Sequence, residues 1–142
     1  MSDHHYMETP RGVLPYLTVR DGHAAIDFYE RAFGATNVQK MLADDGKRLM
    51  HARMTINGGL LMLSDDFPEY MGGQSGAPSA DHPTGTVLHI QVDDADAAFD
   101  RAVAAGATVV MAPADMFWGD RYCQVKDPFG HKWSIAHKLQ KG

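Results

Sequence analysis

The chain has 142 residues, 44% hydrophobic and 22% charged, with 13 Lys and Arg against 18 Asp and Glu, a formal charge of −5. This composition excludes a wholly disordered chain, a collagen-like rod and a coiled coil, and it suits one globular domain. With no basic surplus to neutralise phosphates, no nucleic-acid partner is expected.

Residues 1–11 read as a flexible leader. They hold neither a positive n-region nor an apolar h-region, so no secretory signal is expected. His4 and His5 lie in this polar stretch and read as part of a frayed terminus rather than a metal site. No apolar run in the chain approaches the ~18 residues of a membrane span, so no membrane partner is expected. Cys123 is the only cysteine. One thiol makes neither an internal disulfide nor a Cys-rich zinc site, and a cytoplasmic location follows as the expectation.

The first strand is predicted over 13–19 and the first helix over 23–33. Ile26, Tyr29 and Phe33 recur at three and four residues and form one apolar stripe. Gly34 then ends the helix, as a residue free to take positive φ. A weaker strand over 36–42 has only Val38 and Met41 as apolar anchors. Strands over 48–56 and 59–65 flank Asn57-Gly58, a type I′ hairpin signal. Residues 66–85 are rich in Gly, Pro, Ser and Asp and read as a linker, partly mobile or shaped as a lid.

The pattern then repeats: a strand over 86–92, a helix over 95–105, and strands over 108–112, 120–126 and 131–137. In the second helix Ala95, Phe99, Ala102 and Val103 form the stripe, Asp94 is the expected N-cap and Gly106 the stop. Gly34-Ala35-Thr36 returns as Gly106-Ala107-Thr108. The last hairpin turns at Asp127-Pro128-Phe129-Gly130. The expectation is an α+β fold of two tandem βαβββ modules, 12–65 and 86–138, within a single domain 12–138, followed by a tail at 139–142.

Side chains alternate across a strand. The face toward the helices is expected to carry Leu17, Val19, Met50, Ala52, Met54, Ile56, Leu61, Leu63, Leu88, Ile90, Val92, Trp133 and Ile135. The opposite face then carries Leu14, Tyr16, Thr18, His51, Arg53, Thr55, Leu60, Met62, Ser64, Val87, His89, Gln91, Lys132, Ser134 and Ala136. For strand 120–126 the parity depends on the turn. A bulge at Gly130 puts Tyr122 and Gln124 beside Ser134, with Cys123 and Val125 toward the helix; without it the two sets exchange. If the sheets curl toward each other, the second face lines a concave pocket with several polar groups, the usual form of a small-ligand site. The alternative is an open sheet whose polar face meets water. Leu14, Leu60, Met62 and Val87 argue for the pocket.

Pro15-Tyr-Leu-Thr-Val19, Ala25-Ile-Asp-Phe-Tyr29, Phe33-Gly-Ala35, Gly119-Asp-Arg121 and Asp127-Pro-Phe-Gly-His-Lys-Trp133 resemble the vicinal oxygen chelate superfamily. That group includes glyoxalase I, bleomycin and fosfomycin resistance proteins and extradiol dioxygenases, and the likeness is nearest to its PhnB-like, bleomycin-resistance-like branch. The resemblance covers about residues 12–138. It implies modules that curve into half-barrels with helices outside, a homodimer with cavities built from both modules or both chains, and in many members a divalent metal. The four family ligand positions fall on Leu14, Met62, Val87 and Ser134. None is a usual hard-cation ligand, so no metal centre and no cofactor is expected. The alternative is a divalent metal between His51 and His89, but catalytic zinc normally takes three protein ligands.

The first functional reading is a metal-free protein that binds a small organic molecule through Tyr16, His51, Arg53, Met62, His89, Gln91, Trp118, Tyr122, Gln124 and Ser134. Arg53 either pairs with an anionic ligand or forms an internal ion pair. Phe117-Trp118-Gly119 reads as a loop at the pocket mouth or dimer interface, or as a plug of the barrel end. The second reading is a lyase, isomerase or dioxygenase using an atypical His51/His89 site, with or without metal. The third is an interaction module with a filled barrel. Elsewhere, Asp65-Asp66 reads as an exposed strand end and His131 as a structural turn residue.

Overall fold

The computed structural model describes residues 9–140. A carboxylate opens each helix. Asp21 accepts the amide of Ala24 at the start of α1 (Gly22–Phe33), and Asp94 accepts that of Ala97 at the start of α2 (Ala95–Ala105), each at 3.1 Å. Each bond satisfies an amide that a helix start leaves unpaired. Gly34 and Gly106 follow the last helical residues, as the sequence indicates.

The strands are β1 (Tyr16–Val19), β2 (Thr36–Leu42), β3 (Leu49–Ile56), β4 (Gly59–Asp65), β5 (Val87–Gln91), β6 (Thr108–Asp115), β7 (Asp120–Lys126) and β8 (Lys132–Lys138). They form two mixed four-stranded sheets, ordered β1-β4-β3-β2 and β5-β8-β7-β6. In each sheet the first strand runs parallel to its neighbour and the rest are antiparallel. This is the α+β arrangement of two βαβββ modules; the sheets stay separate and unclosed. Asn57 and Gly58 have φ of 47° and 82°, the backbone of a type I′ turn. Gln124 pairs with Ser134, and Cys123 and Val125 are fully buried, so the bulged parity holds.

Several expectations are corrected by irregularities in the ladders. Met50, placed on the helix face by strict alternation, is 40% exposed, and Leu49 takes the core position. Met41 pairs with His51 and Leu42 with Leu49, so Met50 is the extra residue of a bulge. β1 starts at Tyr16 rather than at 13, because Pro15 has no amide for the ladder; its carbonyl still accepts from Met62 N at 3.1 Å. β6 runs to Asp115 rather than 112, since Pro113 falls in the register shift between Met111 and Ala114 and breaks no regular pair.

The 66–85 linker makes polar contacts within itself and to the sheets. Asp66 accepts from the Gly76 amide at 3.0 Å and from the Ser75 hydroxyl. Arg48 binds Glu69 at 2.6 Å and lies 4.3 Å over the Phe67 ring. Arg20 donates to Pro78 O at 2.6 Å, and Pro78 covers Gly130. At Gly130 a Cβ would meet Pro78 Cβ at 2.9 Å, and φ is +90°, so glycine serves both the turn and the close approach.

One core serves both modules. Phe28, Tyr29, Ala52, Met54 and Leu63 join Cys123, Val125, Trp133 and Ile135 in a single cluster. Phe33 and Tyr29 of α1 reach the ring of Trp133 on β8, with centroids 4.5 and 5.4 Å away. Burial pushes the Cys123 thiol up to about 11, so it acts as a small core residue and not as a nucleophile. Among the described residues no helix is long and apolar enough to cross a membrane.

The modules also repeat a subtler device. Asp65, at the end of β4, accepts the amide of Gly22 at 2.8 Å. His137, at the matching place on β8, accepts the amide of Ala95 through Nδ1 at 2.7 Å. Each ties the last strand of its module to the start of its helix. An amide at Nδ1 puts the proton of the neutral His137 ring on Nε2. Asp65 is 4% exposed rather than an exposed strand end.

Candidate functional site

Cross-strand register sets four side chains abreast on the face of the first sheet turned away from α1. Gln39 pairs with Arg53, Arg53 with Met62, and Met62 with Tyr16. His51 lies two residues before Arg53 on β3. The Tyr16 hydroxyl and His51 Nδ1 are 2.8 Å apart, with the rings edge-on at 5.4 Å.

The second sheet repeats the row at equivalent positions with Met111, Gln124, Ser134 and His89. Here the polar groups bond to one another. His89 Nδ1 meets Ser134 Oγ at 2.8 Å and its Nε2 meets Gln91 Oε1 at 2.8 Å. In the neutral ring Nε2 donates to the amide oxygen and Nδ1 accepts the hydroxyl. Gln124 Nε2 donates to the Tyr122 hydroxyl at 2.7 Å, and the Tyr122 ring stacks on His89 at 6.5 Å. Trp118 sits edge-on to Tyr122 at 5.6 Å, with Nε1 donating to Asp120 at 2.9 Å.

The ten sequence-predicted residues thus fall into two groups. Tyr16, His51, Arg53 and Met62 form one; His89, Gln91, Ser134, Tyr122, Gln124 and Trp118 form the other. Among the described residues no hydrogen bond or ring contact joins them. A hollow of about 240 Å³ between the modules takes Leu60 from the first sheet with His89 and Gln91 from the second. Leu60 also borders a smaller hollow of about 150 Å³ that holds Arg53 and Thr55. Tyr16 and Thr18 face the linker residues Pro78, His82 and Thr84 across a groove of about 460 Å³. A larger hollow, about 480 Å³, lies where Phe33, Ala98 and Arg101 of the helices meet Ile90 and Val92. Sequence reasoning did not anticipate it, because it arises from the angle between modules. Much of the polar face is open in one chain: Tyr16 is 52%, Val87 41% and Trp118 51% exposed.

The residues present do not fit the divalent cation that the fold implies. Leu14 and Val87 have no donor atoms, Met62 offers a soft thioether, and the Ser134 hydroxyl is engaged by His89. No group of three or more His, Cys, Asp or Glu residues suited to a metal occurs among the described residues, and His51 and His89 belong to different clusters. His4 and His5 lie outside the described residues.

Burial, and then the charge of Arg53, hold the His51 imidazole below the ordinary histidine range. The folded state therefore favours the neutral ring. This stability contribution is present above the ordinary histidine range and fades as pH falls through it toward the depressed value. Side-chain NMR titration should give His51 a midpoint below that of His51 in the urea-unfolded chain. Arg53→Gln should move it upward but not fully back, since burial remains. A midpoint at or above the unfolded value would contradict this electrostatic reading.

Four structural residues have roles that the sequence signalled weakly or not at all. Asp127 collects donors from both modules; its turn signal was visible but its reach to Tyr29 was not. His131, 8% exposed, meets the Thr18 carbonyl through Nε2 at 2.9 Å and so joins the modules. His137 carried no spacing signal. Arg121, in the Gly119-Asp-Arg121 motif, grips Asp96 through Nε and Nη2 at 3.1 and 3.0 Å, fixing β7 to α2.

Residues 4–135 match the family model described as Glyoxalase/Bleomycin resistance protein/Dioxygenase superfamily. The chain is 47% identical over 127 residues to an uncharacterized protein of Mycobacterium bovis, covering 89% of this chain and 83% of that one. The structure is similar to TioX from Micromonospora sp. ML1, with TM-score 0.67 and 29% identity over 90% of this chain and all of that one. The fold is also that of the PhnB protein from Bacillus cereus, with TM-score 0.63 and 14% identity over 89% of this chain and 99% of that one.

Proposed function

From the premise that the chain belongs to the glyoxalase/bleomycin resistance protein/dioxygenase superfamily, also called the vicinal oxygen chelate superfamily, we propose that it binds a small organic molecule on the faces of its sheets turned away from the helices, without the divalent metal common in that group. The observation that carries this reading is the pair of matching rows, Gln39-Arg53-Met62-Tyr16 and Met111-Gln124-Ser134-His89. Aromatic and thioether groups offer shape and stacking; Arg, His, Gln and Ser offer oriented polar contacts. Arg53 and Ser134 in these rows are only 6% and 3% exposed, unlike the polar groups of a sheet face that simply meets water. The open aromatic groups Tyr16 and Trp118 support a homodimer in which a second chain helps to close the site. The sole cysteine, buried and unpaired, supports a cytoplasmic location.

A second reading is favoured by the Tyr16–His51 pair. A neutral imidazole held by a phenol is equipped for metal-free proton transfer in a lyase or isomerase.

Thermal unfolding of the full chain against a metabolite library tests the binding reading. Selective binding at 100 times Kd should add about 2.7 kcal/mol of stability and visibly raise Tm. The gain should disappear in the Tyr16→Ala/His89→Ala double variant. A library that never raises Tm, or a gain unchanged in that variant, overturns the reading. Turnover of a stabilising compound, abolished by His51→Ala in chelator-treated protein, would establish the enzymatic reading.

A further inference from the structure

The side chain of Arg53 is 6% exposed, yet it forms no ion pair among the described residues. Its Nη1 donates to Thr9 Oγ1 at 3.2 Å, and its Nη2 is buried with no hydrogen-bond partner among the described residues. A guanidinium cannot shed its charge at any working pH, so burial leaves it uncompensated. Buried charges normally acquire a partner, because desolvation without one costs several kcal/mol.

The surroundings have room for such a partner. The hollow of about 150 Å³ beside Arg53 is walled by Val38 and Leu60 and edged by the polar residues Asn37, Gln39 and Thr55. It lies where β2 departs from regular pairing: the register shifts between Thr36 and Gln39, and Asn37 has φ of 53°. The bulge thus opens the sheet next to the unpaired donor. Apolar walls around one cation-bearing donor suit a ligand with a negative head and a short apolar body. A cationic ligand would meet like charge, and a neutral one would leave the guanidinium uncompensated.

We propose that this hollow takes the carboxylate of a small organic acid, bound by Arg53 Nη2, with its apolar part against Val38 and Leu60. The inference rests on the small-molecule reading above and names the ligand's chemical class. Carboxylate and guanidinium form charge-assisted hydrogen bonds, strongest where water is excluded.

Calorimetric titration of the full chain with benzoate and with its neutral isostere benzamide tests it. Benzoate should bind at least tenfold tighter than benzamide. Arg53→Gln should erase that preference, while Arg53→Lys, which keeps the charge but loses the planar fork, should retain part of it. Circular dichroism checks that each variant is folded. Glu8 stands next to Thr9 in the sequence and supplies the competing explanation, a carboxylate from the chain itself. Glu8→Gln should leave the benzoate preference unchanged; a benzoate preference absent from the unaltered chain and present only in Glu8→Gln would overturn the proposal in favour of Glu8. Equal binding of the two compounds, or a benzoate preference that survives Arg53→Gln, also overturns it and leaves the small-molecule reading standing. Failure of both compounds to bind overturns it as well, and the library screen then judges the broader reading by itself.

Discussion

Asp127→Ala should destabilise the fold by about 3–5 kcal/mol and lower Tm by roughly 10–17 °C. Asp127 is 3% exposed and accepts from Tyr29 Oη at 2.6 Å, Trp133 Nε1 at 2.9 Å, and the amides of Phe129 and His131, each at 2.9 Å. Removing the carboxylate strands all of these donors where water does not reach. One donor belongs to α1 of the first module and the rest to the second, so the loss also loosens the joint between them. Burial and the neighbouring Asp127 charge hold the Tyr29 phenol well above its usual range, so it remains a protonated donor. Asp127→Asn should also destabilise substantially, because one of its side-chain positions becomes a donor facing donors. Tyr29→Phe should cost less, about 1–2 kcal/mol. Urea unfolding followed by circular dichroism measures all three. A change below about 0.5 kcal/mol for Asp127→Ala would contradict the assigned role.

Trp133→Ala should cost about 3–5 kcal/mol by opening a cavity at the centre of the shared core. Trp133 is 3% exposed and lies against Phe33 and Tyr29, with its indole proton on Asp127. The substitution removes the ring contacts and one of the bonds to Asp127. Trp133→Phe should be milder, since it keeps most of the packing. Because Trp133 and Asp127 touch, their losses should not add: the double variant should be less unstable than the sum of the singles. Single domains are stable by only about 5–15 kcal/mol, so the combination should leave little folded protein. Additive losses in equilibrium unfolding would contradict a common network.

The fold was legible because its main signals are local and occur twice. Helix stripes, caps and the stops at Gly34 and Gly106 need only a few consecutive residues. The Asn57-Gly58 turn and the bulge after Asp127 set register by backbone geometry that those residue types favour. Met50 was misplaced because a bulge on β3 depends on how β2 pairs beside it. β1 and β6 were given wrong limits because a proline ends one ladder and is absorbed within the other, an outcome decided by the partner strand.

For the site, strand parity correctly put His51 and Arg53 on one face, and His89, Gln124 and Ser134 on the other sheet's matching face. It could not separate them into two clusters, since that depends on how two sheets sit across a long linker. The same holds for the hydrogen bond from Tyr29 to Asp127, which spans the modules. That no carboxylate among the described residues pairs with Arg53 acquired meaning only from the burial of its guanidinium. From composition alone, ligand charge was undecided.

Small-molecule binding is proposed for the polar rows, and not for the hollow between the helices. Its most direct measurement is NMR of the full chain with the tightest-binding library compound, following the rings of Tyr16, His51, His89 and Tyr122. Saturable shifts at rings of these rows, with the signals of Ala98 and Val92 unmoved, are the result expected. Shifts confined to Ala98, Val92 and their neighbours would contradict the claim.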